Sequence, residues 1–165
     1  MTFRSTATVT RPANTTAYAS GDLIANSATA SEVTAMEFTA GASGTPGKIL
    51  TARLYKSDDD VTTASFRLHL FTASPVATAP TNGDNGAIQV TTDEAGYVGS
   101  IDFDMTDIDI HTGGNVAVGV PFDSREIYFK LASNLSALYG LLEARGTYTP
   151  ASAEVFTVEL ITGEV

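Results

Sequence analysis

The most extended group of chemically able side chains in the sequence is Asp102, Asp104, Asp107 and Asp109, four carboxylates of the kind that supply oxygen ligands to a hard cation such as calcium. The spacing lacks the alternating Asp loop closed by a distal Glu, and Asp102 and Asp104 already serve as the wet face of a strand whose other face is Ile101, Phe103 and Met105. These four stay as weak metal candidates, with no metal or other cofactor expected, and Asp58-Asp59-Asp60 reads as an exposed turn. Acid–base chemistry is limited to two histidines. His69 lies beside Arg67 on the polar side of an alternating run, where it suits a surface or a subunit contact. His111 precedes Thr112-Gly113-Gly114 in a turn. The chain contains no Gly-x-Ser-x-Gly elbow, no phosphate-binding glycine loop ending in Lys-Ser or Lys-Thr, and no His-Glu-x-x-His. No catalytic residue is assigned, and the expectation is a protein that is not an enzyme. Tyr55, Tyr97, Tyr128, Tyr139 and Tyr148 suit either packing and interfaces or the stacking of sugars, so a carbohydrate-binding module is the alternative function.

The elements that position these residues are strands. Apolar residues recur at every second position in short runs bounded by Gly, Pro, Asn and Asp. In Lys48 to Lys56, Leu50, Ala52 and Leu54 face one way; in Ser65 to Phe71, Phe66, Leu68 and Leu70 do the same, and the two runs are expected to be sheet neighbours across the acidic break. Ile127, Phe129 and Leu131 form another inward set. Leu138, Gly140, Leu142 and Ala144 oppose Tyr139, Leu141 and Glu143, and this run is expected to pair with Phe156, Val158 and Leu160. Weaker strands are Thr6 to Thr10, Tyr18 to Ile24 and Ala35 to Thr39. Eight or nine short strands without crossover helices predict an all-β, antiparallel sandwich of jelly-roll type. The predicted core is Leu50, Leu54, Phe66, Leu68, Leu70, Ile101, Phe103, Phe129, Leu138, Leu142, Phe156 and Val158. Ser74 to Thr92 reads as a long surface loop.

At 165 residues the chain has the size of one domain, spanning 1–165. Without cysteine, neither disulfides nor thiolate metal sites hold it together. Nineteen acidic against nine basic residues give a net charge of −10, which opposes nucleic acid and anionic lipid as partners. No apolar run is long enough to span a bilayer, and Met1 to Thr10 lacks the pattern of a secretory signal, so synthesis in a cytoplasm is expected.

Three stretches, Thr10-Arg11-Pro12-Ala13-Asn14-Thr15-Thr16-Ala17-Tyr18, Phe66-Arg67-Leu68-His69-Leu70-Phe71 and Leu138-Tyr139-Gly140-Leu141-Leu142-Glu143, together resemble a group of small structural proteins of tailed-phage virions. The likeness continues through Tyr148-Thr149-Pro150-Ala151-Ser152 and Phe156-Thr157-Val158-Glu159-Leu160. It implies a capsid decoration, or cement, protein with a jelly-roll-like fold, located on the virion, whose partner is the lattice of the major capsid protein. A tail or baseplate component is the other virion placement. The resemblance supplies no catalytic residues. Proteins of this kind sit at local symmetry axes, so a homo-oligomer, a trimer, is expected, with Tyr55, Arg67, His69, Tyr128, Tyr139 and Leu141 as interface candidates. The polar, Thr-rich residues 1–19 suit an N-terminal arm that orders on the shell.

Overall fold

Strand formation follows directly from the alternation. The computed structural model describes residues 1–75, 82–89, 96–106, 115–121 and 125–165. Within these, Phe66, Leu68 and Leu70 of β5 (Ser65–Phe71) and Phe156, Val158 and Leu160 of β11 (Val155–Glu164) turn inward and are almost fully buried. The remaining strands are β1 (Thr2–Thr10), β2 (Leu23–Ile24), β3 (Met36–Thr39), β4 (Pro46–Lys56), β6 (Tyr97–Asp104), β7 (Asn115–Val118), β8 (Val120–Pro121), β9 (Tyr128–Lys130) and β10 (Ala137–Ala144). A 3-10 turn spans Ala30–Glu32.

These strands form two antiparallel sheets packed face to face. The first has the order β1-β11-β4-β7, with β9 also on β4; the second has the order β2-β10-β5-β6-β8, with β3 also on β10. β7 and β9 are two pieces of one line, pairing with Arg53–Lys56 and Pro46–Lys48 of the same β4 edge. Likewise β2 and β3 lie along one edge of β10. With each broken line counted once and β8 set aside as a side excursion, the strands number eight. Their order is 1-8-3-6 facing 2-7-4-5, the two interlocked Greek keys of a jelly roll. At the break after β7, Gly119 donates its N–H to the Ala52 carbonyl at 2.8 Å as the chain leaves the first sheet for β8 on the second. A Cβ there would lie 2.7 Å from Phe103 Cε1, so only glycine passes this point without displacing the core.

The inner faces share one core. Phe66, Phe156 and Tyr148 meet edge to face, Phe66 at 5.3 Å from each of the other two rings. A second apolar cluster, Leu23, Ala25, Val33, Phe71 and Leu141, lies on the outer side of the second sheet, where the excursion between β2 and β3 folds over it.

Four expectations need correction. Lys48–Lys56 and Ser65–Phe71 are not neighbours: β4 and β5 belong to different sheets, because the connection between them is long enough to cross the sandwich instead of closing a tight hairpin. For the same reason β10 does not pair with β11. Leu50 is not core. The ladder to β11 pairs Thr51 with Ile161 but Ile49 with Thr162, leaving Leu50 as the extra residue of a bulge, 48% exposed over Gly163. Finally, residues 2–10 of the expected arm form β1, paired with β11 residue for residue, and Arg11 and Tyr18 beyond it are buried.

Candidate docking face

The outer face of the first sheet is built by period-2 alternation on four lines of strand. From β1 it receives Thr2, Arg4, Thr6, Thr8 and Thr10; from β11, Thr157, Glu159 and Ile161; from β4, Thr51, Arg53 and Tyr55; from the β7 and β9 line, Val116, Val118 and Tyr128. Tyr55 is exposed, as are Val118 at 58% and Tyr128 at 54%, and bulged Leu50 joins them. The β-branched residues lie in cross-strand rows, with Thr8 and Thr157 hydroxyls 3.1 Å apart.

Apart from Lys48 and Lys130 beside Tyr128, charge on this face lies in one row. Arg4 Nε donates to Glu159 Oε2 at 2.7 Å from β1, and Arg53 Nη1 donates to Glu159 Oε1 at 2.7 Å from β4. The hydrogen bond from Arg4, with that from Arg53 behind it, holds the Glu159 carboxyl below the usual range. Two cations over one buried carboxylate leave the row net positive on a chain of charge −10.

Much of the second sheet's outer face is spent internally, with Val120 left exposed at its β8 edge. His69, 9% exposed, has Nε2 at 2.7 Å from Glu143 Oε2 and Nδ1 at 3.4 Å from the Tyr97 hydroxyl. Arg145 Nη1 donates to Glu143 Oε1 at 3.0 Å. Burial raises the Glu143 carboxyl, but hydrogen bonds from His69 and Arg145 outweigh it and hold it low. Arg67 forks onto Asp102, Nε to Oδ1 at 2.6 Å and Nη2 to Oδ2 at 2.9 Å.

Of the six interface candidates, Tyr55 and Tyr128 therefore stand on the open face of the first sheet. Arg67 and His69 are held by carboxylates on the second, and Tyr139 is half-buried against its outer cluster. Leu141 is a correction: it points outward but is only 3% exposed, covered by the cluster that includes Ala25 and Val33. Of the four aspartates only Asp102 and Asp104 lie within the described residues, and each has a partner of its own. Asp102 is taken by Arg67, and Asp104 Oδ1 accepts from Thr106 N–H at 3.0 Å, which lowers its carboxyl. Asp107, Asp109 and His111 lie outside the described residues. Among those described, no group of three or more His, Asp or Glu is placed to hold an ion, and no helix is long and apolar enough to cross a membrane.

The chain matches no known family model and no curated protein. What the face can do follows from its own chemistry. It offers a broad surface of hydroxyls, methyls and two phenols around a cationic row, a composition that suits contact with another protein surface. Sequence reasoning missed Arg4, Arg53 and Glu159 as its centre. The threonines at alternate positions from Thr2 to Thr10 were the available signal of an outward strand face.

Proposed function

We propose that the chain is a structural protein of a phage virion that decorates and stabilises the head, docking the outer face of the first sheet on the capsid lattice as a homo-oligomer, with a trimer as the assembly. One observation carries the reading: this face is open along its whole width and net positive, while the opposite face is part covered by an apolar cluster and commits Arg67, His69 and Arg145 to internal ion pairs, leaving Val120 exposed at its edge. Contacts of modest strength suffice if several subunits attach to one shell, since linked attachment multiplies affinity when the geometry permits it. Binding the assembled shell in preference to its separated parts then stabilises the particle.

The test is to add purified protein to undecorated heads and to measure occupancy and heat resistance. Parent protein should saturate the heads and raise the temperature at which they open. A Tyr55→Asp, Val118→Asp variant with unchanged melting should lose about tenfold or more in affinity, the effect of placing unpaired charge in a desolvated contact. Failure of the parent protein to bind heads, with stoichiometric incorporation into tails, refutes the decoration reading.

A further inference from the structure

Nine cations are present in the sequence, and seven of them sit against a carboxylate: Arg4 and Arg53 on Glu159, Arg11 on Asp84, Lys48 on Glu126, Lys56 on Glu154, Arg67 on Asp102 and Arg145 on Glu143. Among the described residues, the two without such a partner are Arg125 and Lys130. Both line the same rim of the sandwich. Two adjoining hollows of about 420 and 550 Å³ run between β9 and the start of β6; Arg125 lines the first, Lys130 the second, and Tyr97, Val98 and Tyr128 line both. Glu126, the carboxylate in the first hollow, is already paired with Lys48, so Arg125 and Lys130 are left as the exposed charges able to meet an added anion.

The backbone of the groove says what shape that anion has. Ile49 N–H donates to the Ile127 carbonyl at 3.0 Å, and Leu131 N–H donates to the Thr45 carbonyl at 3.2 Å. Residues 127 and 131 thus spend these groups on β4, and antiparallel alternation turns the N–H and C=O of Tyr128 and Lys130 the other way, toward the groove. An exposed strand edge of this kind accepts an added strand. Lys130 and Arg125 oppose pairing with a second copy, which would bring like charges together, and admit an acidic strand.

We infer that the groove between β9 and the start of β6 binds an extended peptide segment bearing carboxylates, paired on the β9 edge and held by Arg125 and Lys130. Arg125 precedes β9 and Lys130 ends it, so acidic side chains four residues apart, which share one face of an added strand, are placed to meet the two cations. This inference does not rest on the docking of the first sheet's outer face on a shell.

The test uses two capped nine-residue peptides of alternating Val and Thr, one with two glutamates placed four residues apart and one with lysines at the same positions, followed by amide resonances of the labelled protein. The glutamate peptide should shift Tyr97 to Ser100 and Arg125 to Lys130. Binding should weaken about tenfold or more in an Arg125→Glu, Lys130→Glu variant, which should take the lysine peptide instead. Absence of shifts in those two segments, or equal binding of the glutamate peptide by parent and reversed variant, overturns the proposal. So does an oligogalacturonate that shifts these amides when the peptide does not, since the groove would then be a site for acidic sugars.

Discussion

Tyr18 and Tyr148 face each other across an isolated β-bridge, Tyr18 N–H donating to the Tyr148 carbonyl at 2.8 Å, and each phenol donates to a buried carboxylate that also holds a buried cation. Tyr18 receives Arg11 Nε at 2.8 Å and donates to Asp84 Oδ1 at 2.6 Å; Tyr148 lies 2.8 Å from both oxygens of Glu154, which Lys56 Nζ meets at 3.4 Å. Burial, with the adjoining carboxylate behind it, pushes both phenols far above their ordinary range, so they remain neutral donors. The pair fastens the chain after β1 to the connection between β10 and β11.

Removing Asp84 should therefore be severe. Arg11 and Asp84 side chains are 0% and 2% exposed, and breaking one side of such a pair leaves an uncompensated buried charge. Asp84→Ala should cost about 3–5 kcal/mol in urea unfolding. A loss under about 1 kcal/mol would mean that the network is not part of the cooperative fold.

Phe66→Ala should cost about 3–5 kcal/mol, because the ring is fully buried between Phe156 and Tyr148. Leu50→Ala should stay within about 0.5 kcal/mol, as expected of a side chain left outside by the bulge. Similar losses for the two would contradict the assigned faces.

Stability should fall on acidification. Glu143 and Glu159 have carboxyls held below the unfolded value, so their contribution is present above about pH 4.3 and is lost as pH drops through the folded values. Glu154 has the opposite sign. Burial raises it despite Tyr148 and Lys56, so it favours the fold at low pH and loses that contribution as pH rises through its raised value. Urea midpoints across this range should show a shallower acid limb for Glu159→Gln than for the parent; parallel curves would reject the assignment.

Calcium should leave the melting temperature unchanged, since Asp102 is committed to Arg67 and Asp104 to Thr106. A bound ion at a hundredfold excess over its dissociation constant would add about 2.7 kcal/mol, enough to see by calorimetry with and without chelator.

The strands that could be read from sequence were those whose information is local. Phe66, Leu68 and Leu70, or Phe156 and Val158, declare their inward side by period alone. Partnership is not local: nothing in Ser57 to Ala64 says that the chain changes sheets there. The bulge at Leu50 reverses the phase for the residues before it, which a two-residue period cannot register. Leu141 looked available because its cover, Ala25 and Val33, comes from more than a hundred positions earlier in the chain. Arg11 and Tyr18 looked solvated because Asp84, their shared acceptor, is 66 residues beyond Tyr18. On the candidate face, Tyr55 and Tyr128 were legible as outward phases, while the Arg4–Glu159–Arg53 row needed the alignment of three strands from both ends of the sequence.

The place of β11 sets a timetable for biosynthesis. Every other strand of the first sheet precedes it in the chain, yet it lies between β1 and β4, so β1 has no partner in that sheet until β11 has left the ribosome. Until then β1 and β4 each expose an edge that β11 will cover, and a growing chain in this condition depends on dilution or chaperones to avoid pairing with its neighbours. Ribosomes stalled before Val155 should accordingly display a nascent chain that proteases cut readily, and release of the next ten residues should bring resistance in a single step.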